Sequence, residues 1–431
     1  MLKSALFKES LIAVVFSATG KVLALLVTLY LAKVLAQGDF GAFSYARNMI
    51  LMLGPMFALG YTPSSSRFIP QYLAREEYGK ARGFFSHAQK VVFAFSTVAS
   101  GVAALVIIFG GDLIPQDYRS ICLIVLVACP FYSLAFFLST ATRAAGSLIG
   151  SLLPIWILQP LALIFGAWLF ATQLGWVNDR AGLGVLFVAA TVSTSLLAVL
   201  WARLRLSPKL RAAVREYDVR TWMSVALPLA LSVAATNFVA RFPAAAAGAA
   251  VGAKNFAIYA VSYMMAQTIQ LALQPMTWVF VPRISRAIGA GRLEDARRLT
   301  ILGTVAALTL GGLGFLVLVV AGRFALGFVS PAYADGYNLM LVLAVEQWML
   351  TASATLGPVL NVSGRHWHAV VLMVVRAAVL FVAVLVVLPQ YGMVGVATTS
   401  AVVSGLWVIA SAISGLRALS RRAAEDKDRK E

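Results

Sequence analysis

Residues 11–35 read LIAVVFSATGKVLALLVTLYLAKVL. A helix needs about 20 mostly apolar residues to cross the hydrocarbon core of a bilayer. A cleaved secretory leader carries an apolar stretch of only about 7–15. The run follows Lys3 and Lys8, exceeds the leader length, and therefore reads as a retained first membrane span. One residue stands against its composition: Lys21, about ten residues from either end.

The same reading extends outward along the chain. Apolar stretches of spanning length recur at 41–62, 88–109, 120–142, 148–172, 182–202, 222–247, 256–281, 299–321, 337–360, 367–388 and 393–416. The whole sequence has 431 residues, of which 61% are hydrophobic and 12% charged. A soluble domain carries about 25% charge to cover its surface, so that class is excluded, and so is disorder. No stretch alternates with the two-residue period of an outer-membrane strand. The expected fold is an all-α polytopic membrane protein with about 12 transmembrane helices. Cys122 and Cys129, seven apart, are expected on one face of a single helix as small apolar fillers. Two cysteines alone make neither a zinc site nor a disulfide scaffold.

Basic residues orient the spans. With the N-terminus in the cytoplasm, the inward segments hold 26 Lys and Arg and the outward segments five. Cytoplasmic loops carry such an excess, and the basic tail after Arg417 must stay on the same side, so both termini are expected inside. The net charge of +18 is thereby assigned to topology, with no nucleic-acid partner.

The chain also matches itself at a shift of about 216 residues. Asp39-Phe-Gly-Ala-Phe43 corresponds to Asn255-Phe-Ala-Ile-Tyr259, and Ile114-Pro-Gln-Asp-Tyr118 to Ser330-Pro-Ala-Tyr333. Arg143-Ala-Ala-Gly146 corresponds to Asn361-Val-Ser-Gly364. Phe68-Ile-Pro70 with Arg82 corresponds to Phe280-Val-Pro282 with Arg297. Four matches in one order indicate a duplication. Six spans per repeat keep both halves in the same orientation, related by an axis along the membrane normal with a cavity between them. The expected parts are a lobe at 1–205, a basic cytoplasmic linker at 206–220, a second lobe at 221–416 and a charged tail at 417–431. This is transporter architecture.

Four cations fall inside spans: Lys21, Arg47, Arg241 and Arg376. A lipid-facing cation at mid-membrane costs at least about 3 kcal/mol, so such groups face a cavity or a partner. Only Glu346 among the acids lies well inside a span, so an anionic substrate is the expected counter-charge for the rest. Ser17, Lys21 and Thr28 share a stripe, with Gly20 thinning the backbone beside the lysine. Asn237 lies four before Arg241, and Gln267, Gln270 and Gln274 recur at helical period. These define the expected substrate-binding set: Lys21, Arg47, Arg241, Arg376, Asn237, Gln267 and Gln270. Arg47 and Asn48 precede Gly54-Pro55, an expected bend. Arg376 has Glu346 as an alternative partner, and Glu346 itself is either that partner or a proton or sodium coupling site. No stretch fits G-x-x-x-x-G-K-[ST], H-E-x-x-H or G-x-S-x-G, so an enzyme is not expected, nor a metal or organic cofactor.

The run Leu23-Ala-Leu-Leu-Val-Thr-Leu-Tyr-Leu-Ala-Lys-Val-Leu-Ala-Gln-Gly-Asp-Phe-Gly41 resembles the first span and turn of bacterial polysaccharide flippases. So does Leu388-Pro-Gln-Tyr-Gly-Met-Val-Gly-Val-Ala397. These proteins form the Wzx-like branch of the multidrug/oligosaccharidyl-lipid/polysaccharide exporter (MOP) superfamily. The resemblance implies two six-helix lobes, alternating access, and export of a polyprenyl-pyrophosphate-linked oligosaccharide across the bacterial cytoplasmic membrane. It implies membrane lipids, polysaccharide polymerase and export proteins as partners. Lys21 and Arg47 match the family's cavity cations on the first two helices, while Arg241 and Arg376 match only the general theme. The alternative within the superfamily is a MATE-type cation-coupled exporter of small amphiphiles. Those proteins rely on a deep acid in the N-terminal lobe, which this chain lacks.

Overall fold

The computed structural model describes residues 2–110, 114–169, 180–362 and 366–428. Within them all regular structure is helical. The order is α1 (Leu2–Val34), α2 (Gln37–Phe57), α3 (Tyr61–Ala74), α4 (Tyr78–Phe109), α5 (Gln116–Leu126) and α6 (Cys129–Ala144). Then come α7 (Leu148–Leu152), a π turn (Leu153–Leu158), α8 (Gln159–Trp168), α9 (Arg180–Arg205), α10 (Pro208–Ala212) and α11 (Val219–Ala266). A 3₁₀ stretch (Gln267–Ala272) precedes α12 (Leu273–Gly289), α13 (Leu293–Val329), α14 (Pro331–Ala334), α15 (Tyr337–Thr351), α16 (Ser353–Val362) and α17 (His366–Asp428). Gly364 of the third repeat match and the side chain of Gln274 lie outside the described residues.

Among the described residues, eight helices are long and apolar enough to cross a membrane. The number is nine if α5 and α6, bent by 54°, form one span. The exposed faces are apolar. On α13, Leu313, Val317, Val320, Phe324 and Phe328 recur every three or four residues and stay exposed. Small residues, Ala307, Gly311 and Gly322, are buried along the same helix. A contiguous apolar stripe of this kind is a surface for lipid, not water.

Two apolar helices are far longer than a bilayer requires: Val219–Leu271, with 53 residues, and Val370–Arg417, with 48. Each is interrupted by one residue of non-helical backbone, Gly252 (φ 76°, ψ 166°) in α11 and Gly392 (φ 57°, ψ −146°) in α17. Only glycine enters such backbone regions without steric cost.

Local chemistry moves two expected features. The bend foreseen at Gly54-Pro55 occurs at 58–60, because α2 runs through Pro55 to Phe57. Leu59 (φ 48°) and Gly60 (φ 72°) then reverse the backbone before α3. Cys122 and Cys129 do not share a helix, because α5 ends at Leu126 and Pro130 opens α6. Proline lacks the N–H that would continue the ladder, so it favours the first turn of a helix over its interior. Both thiols are free and buried.

The chain divides into two compact units, Met1–Ala257 and Ile258–Glu431. Most of α11, expected to open the second lobe, therefore belongs with the first unit. Trp222 explains why: its indole is fully buried, meets Phe84 edge-on at 5.5 Å and donates to the Tyr72 hydroxyl at 2.9 Å. In the second unit, Phe280, Ile284, Ala287, Leu293, Ala296 and Val359 form a separate cluster.

Candidate functional site

The first unit brings Arg47 and Arg241 together. Arg47 projects from α2 and Arg241 from α11, and each guanidinium is within electrostatic range of the other. The Asn48 amide fixes the approach by donating to the Arg241 carbonyl at 3.2 Å. Tyr132 on α6 interacts with both guanidiniums and stacks on Phe136 at 6.4 Å. Among the described residues neither arginine makes an ion pair: the acids of this unit that do are Asp39 and Asp117, held by Arg180, and Glu77, held by Lys80. Two forked cations and a phenol hydroxyl make a donor-rich site of the chemistry that suits a phosphate or carboxylate.

The other expected residues of this unit surround the pair less directly. Lys21 is half-buried on α1, next to Gly20, which packs on Trp156 of the π turn. Thr28 turns its hydroxyl back to the Ala24 carbonyl at 2.9 Å. Asn237 is half-buried and donates along its own helix to the Val233 carbonyl at 2.8 Å, leaving its amide oxygen available.

Arg376 is placed in the second unit, in a network of its own. Ser400 and Ser404 donate to Glu346 Oε1 at 2.6 and 2.8 Å, and Arg376 Nη2 donates to Ser404 Oγ at 2.7 Å. The guanidinium also lies 4.6 Å from the centre of the Trp407 ring. The expected Arg376–Glu346 partnership therefore runs through a serine hydroxyl, and no direct ion pair joins the two among the described residues. The acceptor and the aromatic face offset part of the cost of burying this cation, while its Nε is left without a partner among the described residues. Nearby, Gln270 donates to Gln347 Oε1 at 2.6 Å, while Gln267 opens the 3₁₀ stretch half-buried.

This network predicts a double-mutant cycle. Arg376→Met alone strands a buried carboxylate and is expected to cost about 3 kcal/mol. Adding Glu346→Gln is expected to restore most of that loss in thermal unfolding of the purified protein. A cost for the double variant equal to the sum of the singles would mean that the two groups are not coupled.

Sequence reading missed Tyr132, Ser400 and Ser404. The serines had a readable signal, a pair four apart on an otherwise apolar helix. Tyr132 had none, since its role depends on which helix its ring faces.

Comparison with known proteins places the fold. The fold matches an inward-facing MATE-family multidrug resistance transporter of the MOP superfamily with a TM-score of 0.80. The identity is 12%, and the match covers 94% of this chain and 95% of that one. A MOP superfamily transporter from Pyrococcus furiosus, described as having a binding pocket of reverse polarity, matches with TM-score 0.66 and 14% identity over 95% and 96%. The lipid II flippase MurJ, in an inward closed conformation, matches with TM-score 0.66 and 11% identity over 96% and 90%. No curated protein matches in sequence. At these identities the likeness establishes a shared fold. The family described as "Polysaccharide biosynthesis protein" matches residues 6–288, most of the chain, and the protein belongs to that family.

Proposed function

We propose that this protein is a flippase that moves a polyprenyl-pyrophosphate-linked oligosaccharide from the cytoplasmic to the outer leaflet of a bacterial inner membrane. The observation that carries the reading is the Arg47–Arg241 pair: two neighbouring cations on the apolar helices α2 and α11, neither of which makes an ion pair among the described residues. Burying an unpaired charge costs many kcal/mol, so the pair requires an anion or water. A pyrophosphate supplies the anion, and the guanidiniums in turn remove its barrier to leaving water. The prenyl tail needs no site, because it stays in lipid. Lys21 on α1 adds a third positive group along the path, with Asn237, Gln267 and Gln270 as hydrogen-bonding partners for sugar hydroxyls.

In this reading α11 and α17 each supply two spans, joined at Gly252 and Gly392. Together with the broken α2–α3, α5–α6 and α7–α8, that makes twelve spans with both termini cytoplasmic. The two halves of the duplicated chain, joined by the basic linker 206–220, then alternate the exposure of the head group. With the cell interior negative, outward movement of an anion gains about 2.3 kcal/mol per charge per 100 mV. Glu346 is a candidate proton or sodium coupling site, and polysaccharide polymerase and export proteins are the downstream partners.

A MATE-type export of small amphiphiles is the second reading, favoured by the 0.80 TM-score to a MATE transporter. A deletion strain separates the two. Loss of surface polysaccharide with accumulation of lipid-linked intermediate, at unchanged drug tolerance, is expected. Intact polysaccharide with new drug sensitivity would replace the flippase by the exporter.

A further inference from the structure

The basic linker 206–220 is held in place at several points along its length. Ser207 accepts the Leu210 N–H at 3.3 Å and Pro208 opens α10, whose Leu210 is buried in a core cluster of the first unit. Beyond α10 the chain leaves helix and is pinned along the start of α4. Arg82 Nη1 donates to the Ala213 carbonyl at 2.6 Å, and the Glu216 N–H donates to the Gly79 carbonyl at 3.1 Å. Gly83 lies so close to the Glu216 carbonyl that no side chain fits between them. Asp218 then caps α11 by accepting the Thr221 N–H at 3.4 Å.

Pinning on both sides of Val214 leaves its side chain facing outward, 83% exposed, and Tyr217 is 53% exposed. The neighbouring helices show what covers these apolar groups. On α9, Leu196, Leu200 and Leu204 recur every four residues and are exposed, and on α11 Met223, Leu227 and Leu231 do the same. Both helices are apolar and of spanning length, so these stripes face lipid. Val214 and Tyr217 stand in the chain between the end of one stripe and the start of the other. They therefore fall at the boundary where hydrocarbon meets headgroups. Tyrosine favours that boundary, because its ring is apolar and its tip polar.

The charges around them are one-sided. Residues 203–220 hold Arg203, Arg205, Lys209, Arg211, Arg215 and Arg220 against Glu216 and Asp218. All of these cations except Arg205, whose side chain lies outside the described residues, are exposed. Both acids are engaged elsewhere: Asp218 caps α11, and the Glu216 carboxylate lies against Gly79 at the start of α4. We propose that the linker is a binding site for the headgroups of anionic phospholipids. Arg211, Arg215 and Arg220 meet the phosphates, while Val214 and Tyr217 seat at the acyl boundary. An acidic soluble partner would match the charge but not the continuity with two lipid-facing stripes. The site is separate from the Arg47–Arg241 pair, and the inference stands whatever the protein transports.

The test uses the full chain with Cys122→Ala, Cys129→Ala and Val214→Cys, carrying a spin label at position 214. Nanodiscs of phosphatidylcholine alone are compared with nanodiscs of equal parts phosphatidylcholine and phosphatidylglycerol. In the anionic membrane the label is expected to be shielded from a water-soluble nickel complex and reached by oxygen, which concentrates in lipid. Hydrogen exchange of residues 211–220 in the native chain is expected to slow there about fivefold or more, the attraction of roughly one basic residue to such a surface. Raised salt should erase the difference, because it screens exposed charges. Arg211→Gln, Arg215→Gln and Arg220→Gln together should erase it as well. Should the labelled variant not fold, exchange in the native chain decides alone. A label with the same exposure in both membranes, or exchange unchanged by phosphatidylglycerol, would overturn the anionic-lipid site. Protection by soluble polyaspartate and not by phosphatidylglycerol would put an acidic protein in its place.

Discussion

Cells whose only copy of the protein carries Arg47→Ala together with Arg241→Ala are expected to lose nearly all surface polysaccharide and to accumulate its lipid-linked precursor. A hydrogen bond to a charged group contributes about 1.5–3 kcal/mol. Two such groups lost together therefore predict roughly a 100-fold or greater fall in export. The variant should still reach the membrane and fold, because neither side chain is holding a protein acid. Replacing both by lysine keeps the charge but loses the forked donors, so an intermediate rate is expected. Export rates measured by labelled surface glycan, normalised to folded protein, decide the matter. An unimpaired double-alanine strain would leave the pair without a role in recognition.

Gly60→Val is expected to have the largest effect on folding. Gly60 takes a left-handed backbone (φ 72°) between α2 and α3, and a side chain there would overlap the Ala226 carbonyl of α11. Left-handed backbone costs a β-branched residue about 1–3 kcal/mol, and the backbone clash adds to that. The sum is about 4 kcal/mol, a large part of the stability of any domain. Gly146→Ala is the control. Gly146 is also left-handed (φ 90°), but nothing lies within 4 Å of where its side chain would stand. About 1 kcal/mol is expected there, from backbone strain alone. Thermal aggregation of the two variants in detergent should differ widely. Equal losses would mean that α11 does not pack on the α2–α3 break.

The two arginines show how far sequence reading reaches. Each stands out in a hydropathy scan because a cation within a span is costly wherever the helix goes. The scan treats Arg47, Arg241 and Arg376 alike. The folded chain does not: the first two face each other 194 positions apart, while the third finds Ser404 and Trp407 on its own helix beyond a break. Cys122 and Cys129 make the same point in a short span of chain. Their spacing suits one helix face, and Pro130 separates them.

Sequence alone determined that the protein is a bundle of apolar helices of membrane-spanning character and that four cations stand in apolar stretches where charge is expensive. These follow from the transfer of single side chains between water and hydrocarbon, an energy that depends on each residue and its near neighbours. Tertiary structure decided which cations meet, which one is held by a serine and an indole, and that α11 to Ala257 packs with the first unit. Those outcomes depend on which helix faces can approach. That is set by Gly41 against Ala253, Gly60 against Ala226 and Trp222 against Phe84, contacts between residues far apart in the chain that no local property records.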